Sequence, residues 1–358
     1  MKKLDLIAAS DPFRALQLLI EVWEGKKALF ISPPEVNGLL PEVHGLPEEV
    51  DDQVALVVES SGSTGVPKRI QLSLRALQHS INSSAERLGG HGQWLLALPI
   101  NFIAGSNVLL RSIAADTQPV MLNTRVPFSA DAFIRAASLM SHERRFTSLV
   151  PLQLERLVPA LEDPHSLSIL RRFTAVLVGG QSLNSKTKKK FFDAGVRIIE
   201  SYGMTETCGG CVYDGIPLSG VSVSIKEGRI AISGPTLAQG LGSEFLTEDI
   251  GLLEDGVLSV MGRSDRVIIS GGLKISLDVI EERALQISGV QSVAATAIDT
   301  EFGESPALVY TGETDVDFSG LKELGLAAVP AKTMRVAEIP SLSNGKPDLV
   351  EINKLIAG

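Results

Sequence analysis

The segment Glu59-Ser-Ser-Gly-Ser-Thr-Gly-Val-Pro-Lys68 is the part of this 358-residue chain whose residue types most plainly suit chemistry. It follows the apolar run 54–58, which has the composition of a buried strand. Gly62 and Gly65 let backbone N–H groups approach anionic oxygens, Ser61, Ser63 and Thr64 add hydroxyl donors, and Lys68 adds a cation. Strand, glycine-rich loop and lysine in that order make a cradle for phosphate. The loop is not of the G-x-x-x-x-G-K-[ST] type, because its glycines stand three apart, Pro67 precedes the lysine and Arg69 follows it. A Ser/Gly linker is the bland alternative, but linkers do not usually end in Gly-Val-Pro-Lys directly after a buried strand.

The elements that must hold this loop follow an α/β pattern. Short two-sided apolar runs at 54–58, 95–99 and 175–178 read as buried strands, and the last ends in Gly179 and Gly180. Helical spacing of apolar residues predicts helices over 12–23, 130–139 and 277–286. Strand-like 257–261 then gives way to a polar turn at 263–265, where a boundary is expected. Beyond it, residues 265–358 hold 8 basic against 14 acidic side chains, an acidic module with strands expected at 292–298, 307–311 and 334–339.

Composition bounds the function. Apolar residues are 44% and charged residues 21%, with 33 Gly and 18 Pro in no triplet period, which excludes disorder, collagen and coiled coil. A net charge of −9 disfavours nucleic acid and anionic membrane surfaces as partners. No apolar stretch is long enough to span a bilayer and no signal-peptide core follows Lys2 and Lys3, so a cytoplasmic protein is expected. Cys208 and Cys211 have redox or half-zinc spacing but lack a second ligand pair, and are read as ordinary cytosolic thiols.

Five motifs in order resemble the core motifs of the adenylate-forming enzymes, the family of acyl-CoA synthetases, peptide-synthetase adenylation domains and firefly luciferase. They are Ser60-Ser-Gly-Ser-Thr-Gly-Val-Pro-Lys68, Ser201-Tyr-Gly-Met-Thr-Glu-Thr207, Thr247-Glu-Asp-Ile-Gly251, Gly262-Arg-Ser-Asp-Arg266 with Ser270-Gly-Gly-Leu-Lys274, and Asn344-Gly-Lys346. The resemblance runs from residue 54 to the C-terminus and leaves about the first fifty residues outside it. It implies an α/β fold: a large N-terminal AMP-binding domain, residues 1–264, of mixed sheets with packed helices, and a small mobile C-terminal α+β lid, residues 265–358. Within the family, the segments 94–105 and 147–154 are similar to the o-succinylbenzoate:CoA ligases of menaquinone biosynthesis, especially the short actinobacterial type. Members often carry His-His or a similar aromatic pair before Ile-Ala-Gly, where this chain has Asn101 and Phe102, so the resemblance implies no acyl-site role for a histidine.

The resemblance implies ATP and CoA as co-substrates, Mg²⁺, a small carboxylic acid, and no nucleic acid or membrane. It leaves a homo-oligomer open. A carboxylate attacks the α-phosphate of ATP with loss of pyrophosphate, and the CoA thiol then displaces AMP. Ser60, Ser61, Gly62, Ser63, Thr64, Gly65 and Lys68 are implied at the β- and γ-phosphates, Thr205 at the α-phosphate and Glu206 on Mg²⁺. Gly179, Gly180, Tyr202 and Gly203 are implied at adenine, and Asp249 with Arg263 at the ribose. Lys346 would serve adenylation, Asp265 would be the hinge, and Gly271 and Gly272 would line the pantetheine entry. Asn101, Ser106, Asn107, Val150, Gln181 and Ser182 are expected around the acyl group, where Arg111 is a candidate cation. A turn acid at Asp249 and a solvated lysine at Lys346 are the bland readings, and neither explains the order of the motifs. Two alternatives stand beside this reading: a different carboxylate:CoA ligase or acyl-adenylate synthetase, and a silent nucleotide- or acyl-binding relative.

Overall fold

A computed structural model describes the chain except residues 36, 38, 42, 61–67, 271, 302, 343, 344 and 358. It packs as two compact units, Met1–Ser222 with Ile232–Phe245, and Val223–Ala231 with Leu246–Gly358.

The first unit is built on two sheets. Strand Lys2–Ala8, helix Pro12–Trp23 and strand Ala28–Ser32 form a parallel βαβ unit, and Ala28–Ser32 pairs in parallel with Val54–Ser60. The helix has the span expected from its spacing. Asp11 Oδ1 accepts from Arg14 N at 2.9 Å at its N-cap, and Pro12, which has no N–H to leave unpaired, occupies the first position. Strand Lys68–Ser73 returns antiparallel to Val54–Ser60, with Ser60 opposite Lys68.

The second sheet runs Ile216–Pro217, Gly209–Tyr213, Ile198–Met204, Ala175–Gly179, Arg145–Leu149, Gln93–Leu96, Val120–Met121. The four strands from Ile198–Met204 to Gln93–Leu96 are parallel, and Val176, Leu177 and Val178 are buried as two-sided strands should be. Here one expected element shifts. The strand read at 95–99 is Gln93–Leu96, because its register is set by Arg145–Leu149, and beyond it Ala97 O accepts from the Gln153 side chain at 2.9 Å. Helix Ile103–Ala114 packs on Pro12–Trp23 and Leu74–Leu88 and on strands Gln93–Leu96, Arg145–Leu149 and Gly209–Tyr213.

The second unit contains most of an antiparallel sheet in the order Ser222–Lys226, Arg229–Ser233, Glu244–Glu254, Val257–Arg263. Its other sheet runs Leu273–Ser276, Val267–Ser270, Gly303–Thr311, Ser292–Thr300, with Lys332–Arg335 added in parallel to Gly303–Thr311. Alternate residues serve its two faces. Ala295, Leu308 and Tyr310 pack with helix Leu277–Ala284, while Ala294, Ala307 and Val309 pack with Ile352 and Ile356 of helix Leu349–Ala357. The strand read at 334–339 is Lys332–Arg335, because pairing ends where Val336 N meets Tyr310 O; Val336 and Ile339 still cover the expected apolar face. Among the described residues no helix is long and apolar enough to cross a membrane.

Candidate active site

In the first unit Asn101, Val150, Gly179, Gly180, Thr205 and Glu206 lie at or just beyond the carboxyl ends of the four parallel central strands, where open parallel sheets place ligand sites. Gly179 ends its strand opposite Ser201, and a Cβ there would stand 2.5 Å from Ser201 O, so only glycine allows the two backbones this approach. The next residue, Gly180, turns away at φ +86 into open space. Tyr202 is half-buried, and the ladder to Gly209–Tyr213 bulges between Tyr202 and Gly203.

The chain then makes the short 3₁₀ turn Thr205–Thr207, with Thr205 buried and Glu206 half-buried. The Thr207 hydroxyl clips this turn: it accepts from Met204 N at 3.0 Å and donates to Gly209 O at 2.7 Å. Ala238 N donates to Glu206 O at 2.8 Å and Gln239 N to Gln71 O at 2.9 Å, so adjacent residues tie the Glu206 turn to the strand that begins at Lys68. Lys68 is exposed at the start of that strand. Ser61, Gly62, Ser63, Thr64, Gly65 and Gly271 lie outside the described residues, as does the side chain of Ser60.

The expected acyl residues divide. Asn101 is buried with Oδ1 unpartnered. The Ser106 hydroxyl donates to Ile100 O at 2.6 Å, and Asn107 Nδ2 donates to Cys208 O at 2.9 Å. Val150 is buried at the start of helix Pro151–Arg156, while Gln181 and Ser182 are exposed after Gly180. Arg111 is buried over the Trp94 ring, 4.6 Å from its centroid, and its Nη2 donates to the Tyr213 hydroxyl at 3.1 Å. Both cysteines are free and fully buried, and burial pushes the Cys211 thiol up to about 11 and that of Cys208 higher still. Burial therefore disfavours the thiolate that redox or zinc chemistry needs. Glu155, which lies in none of the motifs, is pushed up to about 7 by burial.

The second unit holds the other motif residues. Asp249 and Arg263 are cross-strand partners, and Arg263 Nη1 donates to the buried Asp249 Oδ1 at 3.1 Å. The Thr247 hydroxyl sets the strand there, accepting from Asp249 N at 3.1 Å and donating to Ile230 O at 2.8 Å. Arg263 also grips Asp265 with a two-pronged fork, Nε to Oδ1 at 2.7 Å and Nη2 to Oδ2 at 2.6 Å. That fork holds the Asp265 carboxyl below the usual carboxylate range and pushes the Arg263 guanidinium up. Sequence spacing did not reveal this pairing, although a basic and an acidic residue two apart across a turn are its signal. Gly272 sits at φ +81 with open space where a Cβ would be, in the turn between Val267–Ser270 and Leu273–Ser276. Lys346 is exposed, and its backbone O accepts from Leu342 N at 2.8 Å.

A Mg²⁺ ion fits this residue set in one way. Among the described residues no three His, Cys, Asp or Glu side chains form a metal cluster, and the half-buried Glu206 offers a hard carboxylate oxygen at the turn. That suits a cation carried mainly by substrate phosphates, the usual binding mode of Mg²⁺.

This fold and these motifs are those of a nucleotide-binding enzyme, and the chain belongs to the AMP-binding enzyme family, whose profile matches residues 6–240. The match begins at residue 6, well before the first motif, so residues 6–53 belong to the family region as well, and the first fifty residues supply strands of the sheet that carries Val54–Ser60. Across its whole length the chain is 35% identical to a Mycobacterium tuberculosis protein named "Probable 2-succinylbenzoate--CoA ligase", covering 100% of this chain and 99% of that one. It is 30% identical to a 2-succinylbenzoate–CoA ligase of Bacillus pumilus over 82% of this chain and 68% of the relative. Among solved structures, a variant of E. coli MenE with bound OSB-AMS shares the fold at a TM-score of 0.77 and 18% identity, covering 99% of this chain and 87% of that one. So does O-succinylbenzoate coenzyme A synthetase of Bacillus subtilis in complex with ATP and magnesium ion, at 0.71 and 22%, covering 96% and 82%.

Proposed function

We propose that this chain is an o-succinylbenzoate:CoA ligase of menaquinone biosynthesis, working in the cytoplasm. It uses ATP to make o-succinylbenzoyl-adenylate and pyrophosphate, then passes the acyl group to CoA with release of AMP. The observation that carries the substrate is the end-to-end similarity to the Mycobacterium tuberculosis relative.

In this reading the loop 60–65 and Lys68 hold the β- and γ-phosphates, and Thr205 donates to the α-phosphate. Glu206 holds Mg²⁺, which offsets phosphate charge when bound. Tyr202 and Gly203, with the open backbone at Gly179 and Gly180, take the adenine. Asp249, a buried acceptor oriented by Arg263, takes the ribose hydroxyls. Lys346 meets the acyl carboxylate and α-phosphate during adenylation. The lid, residues 265–358, swings about Asp265 between the two half-reactions, and Gly271 and Gly272 then line the path of the pantetheine arm. The Arg263 fork on Asp265 supports a hinge with a defined starting state. Asn101, Ser106, Val150, Gln181 and Ser182 surround the acyl group, while Asn107, expected there from the sequence, spends its amide nitrogen on Cys208 O; the unpartnered Asn101 Oδ1 supports a polar ligand beside the acyl group.

Substrate profiling tests the assignment. With Mg·ATP and CoA, thioester formation is expected from o-succinylbenzoate and not from benzoate, succinate or fatty acids. A preferred acid of another class would overturn the substrate while leaving the nucleotide chemistry standing.

A further inference from the structure

Four side chains on two helices converge on two atoms that bracket one strand. Helix Leu74–Leu88 carries Ser80 and Ser84, and helix Ile103–Ala114 carries Asn107 and Arg111. Each pair is four residues apart, so its members lie one above the other on one helix face. Ser80 Oγ, at 3.1 Å, and Asn107 Nδ2, at 2.9 Å, both donate to Cys208 O. One turn along, Ser84 Oγ shares a hydrogen bond of 2.8 Å with the Tyr213 hydroxyl, and Arg111 Nη2 donates to the same oxygen at 3.1 Å. Cys208 precedes the strand Gly209–Tyr213 and Tyr213 ends it, so each helix grips the strand at both ends.

The two rungs differ in what they hold. Cys208 directly follows the Thr205–Thr207 turn, and its φ of +56 is in the left-handed region that side chains with a Cβ rarely adopt. Gly209 follows at φ +94, where a Cβ would stand 2.4 Å from Asn107 Nδ2. A strained corner persists only where its surroundings over-determine it. Here the two donors do so: Ser80 and Asn107 are each 1% exposed and Cys208 0%. A buried carbonyl stripped of its donors has no water to replace them. The orientation of the amide follows from the same chemistry, since turning it over would set Asn107 Oδ1 against another acceptor.

We propose that Ser80 and Asn107 are positioning residues of the adenylation step. By fixing the Cys208 carbonyl they hold Thr205 and Glu206 where the α-phosphate and its cation must be met, whereas the Ser84–Arg111 rung on Tyr213 supports the fold alone. The catalytic part of this inference rests on the adenylate-forming reading above.

The test uses the full chain with Cys211→Ala, so that Cys208 is its single thiol, and adds Ser80→Ala, Asn107→Leu or Ser84→Ala. Labelling of native Cys208 by a neutral thiol reagent, each variant held equally far below its melting temperature, reads the corner itself. It is expected to quicken about tenfold or more in Ser80→Ala and Asn107→Leu, the effect of one lost buried hydrogen bond, and to stay at the parent rate in Ser84→Ala. Equal rates in all three variants overturn the clamp, even if the parent protein releases no pyrophosphate with any acid and the ligase reading falls.

With an active parent, kcat for acid-dependent pyrophosphate release per folded protein is expected to fall about 100-fold in Asn107→Leu, the scale of a 1 Å misplacement. The KM for the acid should be unchanged. A raised KM for the acid with kcat retained would make Asn107 an acyl contact and overturn the positioning role. Should Asn107→Leu fail to fold, Ser80→Ala, which leaves Asn107 on the carbonyl, decides by the same two readouts.

Discussion

Gly203→Ala probes the close approach of strands on which the site depends. A Cβ at Gly203 would lie 2.1 Å from Gly209 O and 2.7 Å from Gly210 Cα, and Gly203 is the register partner of Gly210. Both obstacles are backbone, so no flexible side chain can swing aside, and the two strands must part by about 1 Å to restore an ordinary contact. Overpacking of this kind costs about 1–3 kcal/mol, and at the upper end that lowers the melting temperature of a unit this size by roughly 5–10 °C. The larger effect falls on function. Thr205 and Glu206 stand two and three residues beyond Gly203, and a displacement of about 1 Å in such groups costs about 100-fold in rate.

Thermal unfolding followed by circular dichroism, with pyrophosphate release scaled to folded protein, measures both effects. Gly89→Ala is the control: Gly89 caps helix Leu74–Leu88 at φ +87 with nothing within 4 Å of a Cβ, so only the left-handed backbone is penalised, by about 1–2 kcal/mol. Its rate per folded molecule should match the parent protein. A Gly203→Ala protein with the parent's melting temperature and rate would refute the claim that the Tyr202–Glu206 segment is set by this contact.

Two further outcomes are expected. Lys346→Ala should abolish acid-dependent pyrophosphate release yet still convert presupplied acyl-adenylate and CoA to thioester; equal loss of both half-reactions would contradict a lid that serves them in turn. Burial pushes the Glu155 carboxyl up to about 7, so the folded chain holds this proton more tightly than the unfolded chain. The resulting stability is present below the ordinary carboxylate range and is lost as pH rises through about 7. Glu155→Gln should therefore melt with the parent protein near pH 4 and above it at pH 8, and coincident melts at pH 8 would show that Glu155 is not desolvated.

What the sequence made legible was local chemistry. Helix Pro12–Trp23 follows from its apolar spacing, the Asp11 cap and Pro12, and strand Ala175–Gly179 from a two-sided apolar run closed by glycine. Strand ends were less legible where a distant partner decides them, as Arg145–Leu149 does for Gln93–Leu96 and Gly303–Thr311 does for Lys332–Arg335. The motif residues were found by type and order, but their supports were not. Ser80 and Asn107 reach Cys208 from 128 and 101 residues away in the chain, and no local pattern encodes such a meeting. The Arg263–Asp265 fork is illegible for another reason: residues two apart face each other only when the chain turns between them, as the 3₁₀ turn Ser264–Arg266 makes it do.

The central claim is that this chain activates o-succinylbenzoate as an adenylate before CoA takes part. It is tested most directly by isotope exchange between pyrophosphate and ATP in the presence of Mg²⁺ and the acid, with CoA left out. The account predicts rapid exchange that depends on o-succinylbenzoate, and, when CoA is added, AMP and thioester in equal amounts. Exchange that requires CoA, or ADP and phosphate as the products, would contradict it.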